Sequence, residues 1–339
     1  MSSVAQNAPP RPAPQATQKP PLKWVGGKTQ IMGTVLTHFP RRALNYHEPF
    51  MGGGSVLFAT LHLIETGQFI VAGKVNAYDI NPHLINFYNQ LKTNRESLYT
   101  ETQALVDQYR DIGSGPGPGP EPAANRKPDT IEAARTSQES FYYWCRIRFN
   151  AERKTNRDSV GCAALFVFLN KMCFRGVYRE SLGGGFNVPF GHYKTVPTVL
   201  PRDQLDRMSD LVQGVSFECA DFRESLARVV PGDFVYLDPP YAPEEKNSFV
   251  GYTADGFGTN DHAELFGICN SMASDGAMFA MSNARVPMVT DAFEQNEGMG
   301  AQKYAFTDVP ARRAINSKNP AARTVEVIVT NVTDDKKVI

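Results

Sequence analysis

The sequence has no uninterrupted apolar run near the roughly 18 residues that would cross a bilayer, so spanning transporters, receptors and anchors are excluded and a soluble chain without a membrane partner is expected. Cysteine is scarce. The five present (Cys145, Cys162, Cys173, Cys219 and Cys269) are an odd number with no CxxC pair. A zinc ribbon or disulfide framework is therefore not expected, no metal site is assigned, and a reducing cytosolic or nuclear compartment is favoured over secretion. Net charge is lacking too, since 35 Lys and Arg balance 35 Asp and Glu, so the chain as a whole has no basic footprint. Residues 1–20 are rich in Pro, Ala, Gln and Ser and lack the apolar core of a secretory signal, which predicts a disordered arm. No internal repeat is visible. At 339 residues the chain can build one large or two ordinary domains with a sizeable core.

Charge is nevertheless unevenly spread. Residues 141–180 carry eight basic side chains (Arg146, Arg148, Arg153, Lys154, Arg157, Lys171, Arg175 and Arg179) against three acidic ones (Glu152, Asp158 and Glu180), a local excess of five interleaved with aromatics. That pattern suits either an ordinary solvated helix face or a polyanion-binding surface.

Short β-like runs at 44–48, 74–79, 215–219, 234–237, 277–282 and 324–330 alternate with helical patterns near 29–38, 55–66, 82–92, 202–212, 224–229 and 261–273. The alternation predicts an α/β fold, a Rossmann-like, mostly parallel sheet with helices on both faces. It breaks between about 94 and 215, where a polar helix leads into a Gly/Pro run at 113–120 and then a long helical segment rich in aromatics and Arg. The Gly/Pro run has no collagen-like period and reads as a flexible insertion. The expected organisation is a sheet domain at 21–93 and 216–339, split by a mainly helical domain at 94–215.

The most informative segment is Asp238-Pro239-Pro240-Tyr241, which follows the buried strand pattern at 234–237. A carboxylate, a rigid turn and an aromatic ring suit methylation of a flat exocyclic amine, whose delocalised lone pair must be freed by drawing its two hydrogens out of the ring plane. Asp238 can accept one hydrogen and the Pro239 carbonyl the other. Paired prolines fix φ and remove two backbone donors. Tyr241 offers a face for stacking. Taken alone, the four residues could also be a Pro-rich turn with a surface Tyr.

Three further strand ends bear on a ligand. Glycines of Phe50-Met-Gly52-Gly-Gly54 open a helix after the first strand and let a ligand approach the backbone. Asp79 closes the next strand, where a carboxylate can hold ribose hydroxyls; otherwise it would cap the helix that starts at Pro82. Asp221 ends a third strand and could face an adenine ring or cap the following helix. Trp24 and Lys28 sit on a glycine turn upstream. Gly-Gly-Lys-Thr there lacks the phosphate-loop spacing, which argues against a kinase or ATPase.

In order, these motifs resemble the alpha-group DNA adenine-N6 methyltransferases, and most of all their Dam type. The resemblance runs from Leu22-Lys-Trp-Val-Gly-Gly-Lys28 through Asn170-Lys-Met-Cys-Phe-Arg-Gly-Val-Tyr-Arg179 and Gly185-Phe-Asn-Val-Pro-Phe-Gly191 to Arg312-Arg-Ala-Ile-Asn-Ser-Lys318, about residues 21–331. It implies S-adenosylmethionine as donor and a flipped adenine in double-stranded DNA as acceptor. It implies a catalytic turn of Asp238, Pro239, Pro240 and Tyr241, and cofactor contacts from Trp24, Lys28, Phe50, Gly52, Gly54, Asp79, Asp221 and Asp238. The 94–215 segment becomes a target-recognition domain whose β-hairpin reads DNA with Arg175, Val177, Arg179, Asn187 and Pro189. GATC is the first site expected, and CATG or another AT-containing palindrome the second, because Arg175 stands where relatives usually carry Asn. A monomer, a cytoplasmic, nucleoid or nuclear location and a cognate restriction endonuclease as candidate partner are also implied. An RNA-adenine or protein-glutamine methyltransferase, or a DNA-binding relict without activity, are the alternatives.

Overall fold

The computed structural model describes residues 19–112, 124–243, 256–294, 304–312 and 323–337. The arm before residue 19, the Gly/Pro run at 113–120 and most of the motif at 312–318 lie outside the described residues.

The strands are β1 (Arg42–Ala43), β2 (Tyr46–Glu48), β3 (Ile70–Val71), β4 (Val75–Asp79), β5 (Val215–Cys219), β6 (Phe234–Leu237), β7 (Met278–Ala284), β8 (Ala305–Arg312) and β9 (Arg323–Thr330). The helices are α1 (Met32–Leu36), α2 (Ser55–Glu65), α3 (Pro82–Thr93), α4 (Arg95–Ile112), α5 (Ile131–Ala134), α6 (Gln138–Thr155), α7 (Val160–Met172), α8 (Arg202–Leu211), α9 (Phe222–Leu226), α10 (Thr259–Ser274) and α11 (Pro287–Glu294). Seven strands form one sheet in the order β5-β4-β2-β6-β7-β9-β8, and β1 pairs with β3 separately. The ladders from β5 across to β7 are parallel, whereas β9 runs antiparallel to both β7 and β8.

Alternation along β6 shows why helices cover both faces. Phe234 and Tyr236 join a core with residues of α1, α2 and α3, while Val235 and Leu237 join a second core with α9, α10 and α11. Successive side chains of a strand point to opposite faces, so a strand buried on both sides is apolar throughout. The mostly parallel α/β sheet expected from the sequence is present. β8 was not foreseen, because Pro310 interrupts its pattern. Among the described residues it pairs only with β9, and an edge strand tolerates proline.

The helical segment between β4 and β5 is built around α7, whose residues 162–170 are all buried. A helix apolar on every side is a core helix. α7 packs against α3, α4 and α6, so the apolar core continues from the sheet face into this segment. The expected hairpin within 173–191 is irregular. Two isolated antiparallel bridges, Cys173↔Phe190 and Glu180↔Phe186, replace a continuous ladder. A 3-10 turn at Phe174–Gly176 prevents strand geometry there, with Arg175 in the left-handed region at φ 56°.

The amino end of β6 is fixed by a carboxylate. Asp233 is fully buried and accepts from the Asn45 backbone N–H at 3.0 Å, Asn45 Nδ2 at 2.8 Å, His47 Nε2 at 3.1 Å and the Val230 N–H at 3.0 Å. Burial lowers the His47 pKa, so a neutral imidazole donates here. Hydrogen bonds to a charged group are worth about 1.5–3 kcal/mol each. Asp233→Ala leaves these donors unmatched and is expected to lower unfolding free energy by about 3 kcal/mol or more. Urea denaturation measures it, and a loss below about 1 kcal/mol would show that the network does not hold this end of the sheet.

Candidate active site

β2, β4 and β5 lie to one side of β6, and β7 lies to the other, so the chain reverses its direction of travel through the sheet between β2 and β6. Loops leaving neighbouring strands diverge at such a switch point and leave a crevice at the carboxyl edge. β2 delivers Glu48 and the glycine loop to that edge, β4 delivers Asp79, β5 delivers Asp221 and β6 delivers the 238–241 turn.

Lys28 enters the crevice from the glycine turn before α1 and is only 4% exposed. Its Nζ lies 2.6 Å from Asp238 Oδ2, donates to the Gly26 carbonyl at 2.7 Å and sits 5.0 Å from the Tyr241 ring centroid. Burial raises the Asp238 pKa to about 6 despite the lysine, and Glu326 adds to the rise. Tyr241 donates its hydroxyl to Glu326 Oε2 at 2.7 Å. Beyond the turn, the Ala242 N–H is held by Asn283 Oδ1 at 2.9 Å.

The glycines are required by neighbours. A Cβ on Gly52 would lie 2.9 Å from Trp24 Cδ1, one on Gly53 2.7 Å from Trp24 Cβ, and one on Gly54 2.5 Å from the Tyr88 hydroxyl. Gly52 and Gly54 also have positive φ, at 52° and 74°. Trp24 therefore lies against the loop, and its other contacts belong to the helical segment: it stacks on Tyr178 at 5.9 Å and meets Phe166 at 6.4 Å.

Asp79 is not the helix cap. Asn81 caps α3, accepting from the His83 and Leu84 N–H groups, which leaves Asp79 free to accept from Gly52 N–H and Asn81 N–H, each at 2.9 Å. Burial raises its pKa to about 6, even with both donors. Asp221 does cap its helix: it accepts from Arg223 N–H at 2.9 Å and pairs with the Arg223 guanidinium at 3.2 Å. Its neighbour Phe222 stacks on Phe50 at 5.8 Å, and Phe257 closes on both rings.

Asp238, Tyr241, Lys28, Asp79, Phe50 and the glycines thus gather at one sheet edge. The hairpin residues form a separate group in which Arg175, Arg179 and Pro189 are exposed and Val177 and Asn187 half-buried. Arg179 Nε donates to Asn187 Oδ1 at 2.8 Å, Arg175 lies over the Phe174 ring at 5.2 Å, and the Pro189 carbonyl accepts from Phe174 N–H at 2.9 Å. Val177 and Tyr178 border a small apolar cavity with Phe149, Phe166 and Phe186.

Glu48, Glu326 and Asn283 escaped the sequence reading. Glu48 could have been found, since Tyr46 and Glu48 share one face of a strand and the Tyr46 hydroxyl donates to Glu48 Oε2 at 2.7 Å. Glu326 and Asn283 carry no local signal, because their partners Tyr241 and Ala242 lie in a turn 85 and 41 residues away in sequence.

The family model that describes the D12 class N6 adenine-specific DNA methyltransferases matches residues 24–305. The chain belongs to that family and is an adenine-specific DNA methyltransferase. It is 33% identical over 307 residues to the type II methyltransferase M.MjaIII of Methanocaldococcus jannaschii, covering 88% of this chain and 93% of that protein. It is 33% identical over 264 residues to a DNA adenine methylase of Vibrio cholerae, covering 77% and 80%, and 30% identical over 311 residues to the retron Ec67 DNA adenine methylase of Escherichia coli, covering 91% and 90%.

Glu48 is 2% exposed, and burial raises its pKa to about 8, with Asp238 adding to the rise and the Tyr46 hydroxyl opposing it. Unfolded glutamic acid loses its proton near 4.5. Between those values the folded state binds more protons, so the stability linked to Glu48 is complete below about 4.5 and is lost as pH rises through about 8. Glu48→Gln should flatten this decline and leave the variant more stable than wild type at high pH. Unfolding free energies at pH 6 and pH 9 are the measurement, and equal pH slopes for the two proteins would contradict a buried, protonated Glu48.

Proposed function

We propose that this methyltransferase transfers the methyl group of S-adenosylmethionine to N6 of an adenine flipped out of a short duplex site, GATC first and CATG or another AT-containing palindrome second. The observation that carries the reading is the Lys28–Asp238 pair at 2.6 Å beside the Tyr241 ring, at the switch point of the sheet.

The residues present fit the donor. Trp24 packs on the glycine loop beside Lys28, Asp79 stands at the end of β4 and Asp221 just after β5, and these carboxylates together with Asp238 outnumber the single ammonium group of Lys28 at this edge of the sheet. We assign Trp24, Lys28, Phe50, Gly52, Gly54, Asp79, Asp221 and Asp238 to donor binding, with Asp79 on the ribose hydroxyls and Asp221 toward the adenine ring. When bound, S-adenosylmethionine supplies a methyl group already activated by its sulfonium.

The chain's own task is alignment. A stacked adenine cannot present N6, so flipping costs a few kcal/mol, which stacking on Tyr241 and hydrogen bonding in the pocket offset. Asp238 accepts one N6 hydrogen and the Pro239 carbonyl the other, drawing the amine lone pair toward the methyl. Pro239 and Pro240 hold those acceptors in place without adding competing donors. Lys28 keeps Asp238 an acceptor despite its burial. The proton lost from N6 leaves after transfer, so no strong base is required. Residues 94–215 serve as the target-recognition domain, with Arg175, Val177, Arg179, Asn187 and Pro189 on the DNA, and residues 21–93 and 216–339 form the catalytic domain.

Two substitutions separate chemistry from donor binding. Asp238→Ala should abolish tritium transfer to unmethylated plasmid DNA while the protein still melts cooperatively. Asp79→Ala should weaken donor binding in calorimetry without DNA by about 10-fold or more, because a hydrogen bond to a charged group is worth about 1.5–3 kcal/mol. Wild-type turnover by Asp238→Ala would sink the proposed chemistry, and an unchanged dissociation constant would remove Asp79 from the donor site. Parallel assays on RNA distinguish the duplex reading from an RNA substrate.

Arg179 tests the recognition role. A bidentate arginine to guanine O6 and N7 is the commonest specific major-groove contact. Arg179→Ala should cost about 1–3 kcal/mol at the cognate guanine and relax discrimination there. Competition between cognate and singly substituted duplexes at two salt concentrations is the measurement. Equal weakening on every duplex, with a salt slope lower by about one, would make Arg179 a phosphate contact instead.

A further inference from the structure

Tyr241 is held at more points than a stacking ring in a surface turn needs. Pro239 and Pro240 restrict the backbone before it, and Asn283 Oδ1 holds the Ala242 N–H after it at 2.9 Å. With the main chain fixed on both sides, the remaining freedom of the ring is rotation about its side-chain torsions. The hydroxyl removes that freedom by donating to Glu326 Oε2 at 2.7 Å. Glu326 comes from β9, where its register partners are Ala284 on β7 and Val309 on β8. Because β9 is reversed, its beginning lies at the sheet edge where the parallel strands end, which places a carboxylate from the end of the chain beside the 238–241 turn.

We propose that Glu326 is a positioning residue for methyl transfer: its carboxylate tethers the Tyr241 hydroxyl and so fixes the ring plane on which the flipped base stacks. The inference rests on the reading of 238–241 as the base-binding turn. The tether keeps one polarity, since burial, followed by the charges of Asp238 and Glu326, raises the tyrosine pKa well above its ordinary value, and the hydroxyl remains the donor. Lys28 lies beside both the Asp238 carboxylate, at 2.6 Å, and the Tyr241 ring, 5.0 Å from its centroid. A ring already held in its bound orientation loses less entropy when the base arrives and holds the amine closer to its reacting geometry. Stacking area alone would ask nothing of the hydroxyl, so the proposal separates Tyr241→Phe from wild type.

The test is a double-mutant cycle on the full chain, using single-turnover tritium transfer from S-adenosylmethionine to unmethylated plasmid DNA, with donor affinity by calorimetry and melting temperature as controls. Tyr241→Phe and Glu326→Ala are each expected to slow transfer by about 10- to 100-fold, the range for losing a hydrogen bond to a charged group, with donor affinity and melting temperature unchanged. The combined variant should be no slower than the slower single variant. Glu326→Gln, which keeps an acceptor, should recover most of the rate. Multiplying effects in the combined variant, or Tyr241→Phe at the wild-type rate, would overturn the tether. If Glu326→Ala does not fold, Glu326→Leu, which fills the space without an acceptor, decides with and without Tyr241→Phe: the substitution must matter less once the hydroxyl is gone. Tyr241→Ala and Asp238→Ala distinguish failure of the tether from failure of the base-binding reading. Full activity in both removes the base-binding reading itself, whereas their inactivity beside an unaffected Glu326→Ala removes only the tether.

Discussion

The ion pair between Lys28 and Asp238 is the contact on which the candidate site depends. It joins the glycine turn ahead of the first helix to the turn after β6, and it does so where burial alone would neutralise the aspartate. Burial raises the Asp238 pKa to about 6, and the lysine opposes that rise. Without the ammonium group, the carboxylate would approach neutrality within the physiological range and lose its strength as an acceptor. The same lysine faces the Tyr241 ring. One buried cation therefore touches both the carboxylate and the ring of the 238–241 turn.

Much of this is legible in the sequence, and the reason is locality. A buried parallel strand is a short apolar run, and the residue that closes it lies at the carboxyl edge, so the strand pattern alone puts Asp79, Asp221 and Asp238 together. The glycine loop is legible for the same reason. What the pattern hides depends on distant partners. Asp79 and Asn81 compete for the cap of α3, and only the three-dimensional arrangement shows Asn81 taking it and Asp79 turning to Gly52. Glu326 sits in an alternating strand pattern in which a glutamate reads as solvent-facing; its role comes from Tyr241, 85 residues away. β8 is hidden by a proline that an edge position permits.

Trp24 links two regions that the sequence pattern keeps apart. One side of its ring lies where Cβ atoms on Gly52 and Gly53 would be, and its other contacts are with Tyr178 and Phe166 of the helical segment. Asn170 reinforces the link, accepting from the Lys23 N–H at 2.9 Å and donating to the Lys23 carbonyl at 2.8 Å. The segment before α1 is thus clamped between the glycine loop and the helix that leads into the hairpin. Since Tyr178 is the residue before Arg179, a change in loop position at the sheet edge has a packed route to the side chain proposed to read DNA.

The hairpin also places an arginine in a backbone conformation that suits a shorter polar residue. Arg175 adopts φ 56°, a conformation in which Asn is among the better tolerated residues because its short polar side chain can bond locally. An arginine there gains no such bond; its guanidinium lies instead over the Phe174 ring at 5.2 Å. The following Gly176 also has positive φ, and a Cβ on it would collide with Lys23. The turn is thus set by Gly176 and its close approach to Lys23, and Arg175 follows a backbone that an asparagine would favour. Where the family resemblance leads to asparagine, a short amide with a donor and an acceptor, this chain presents a long cation with donors only. On the proposed reading, that difference bears on what position 175 recognises, while Arg179 is held separately by Asn187.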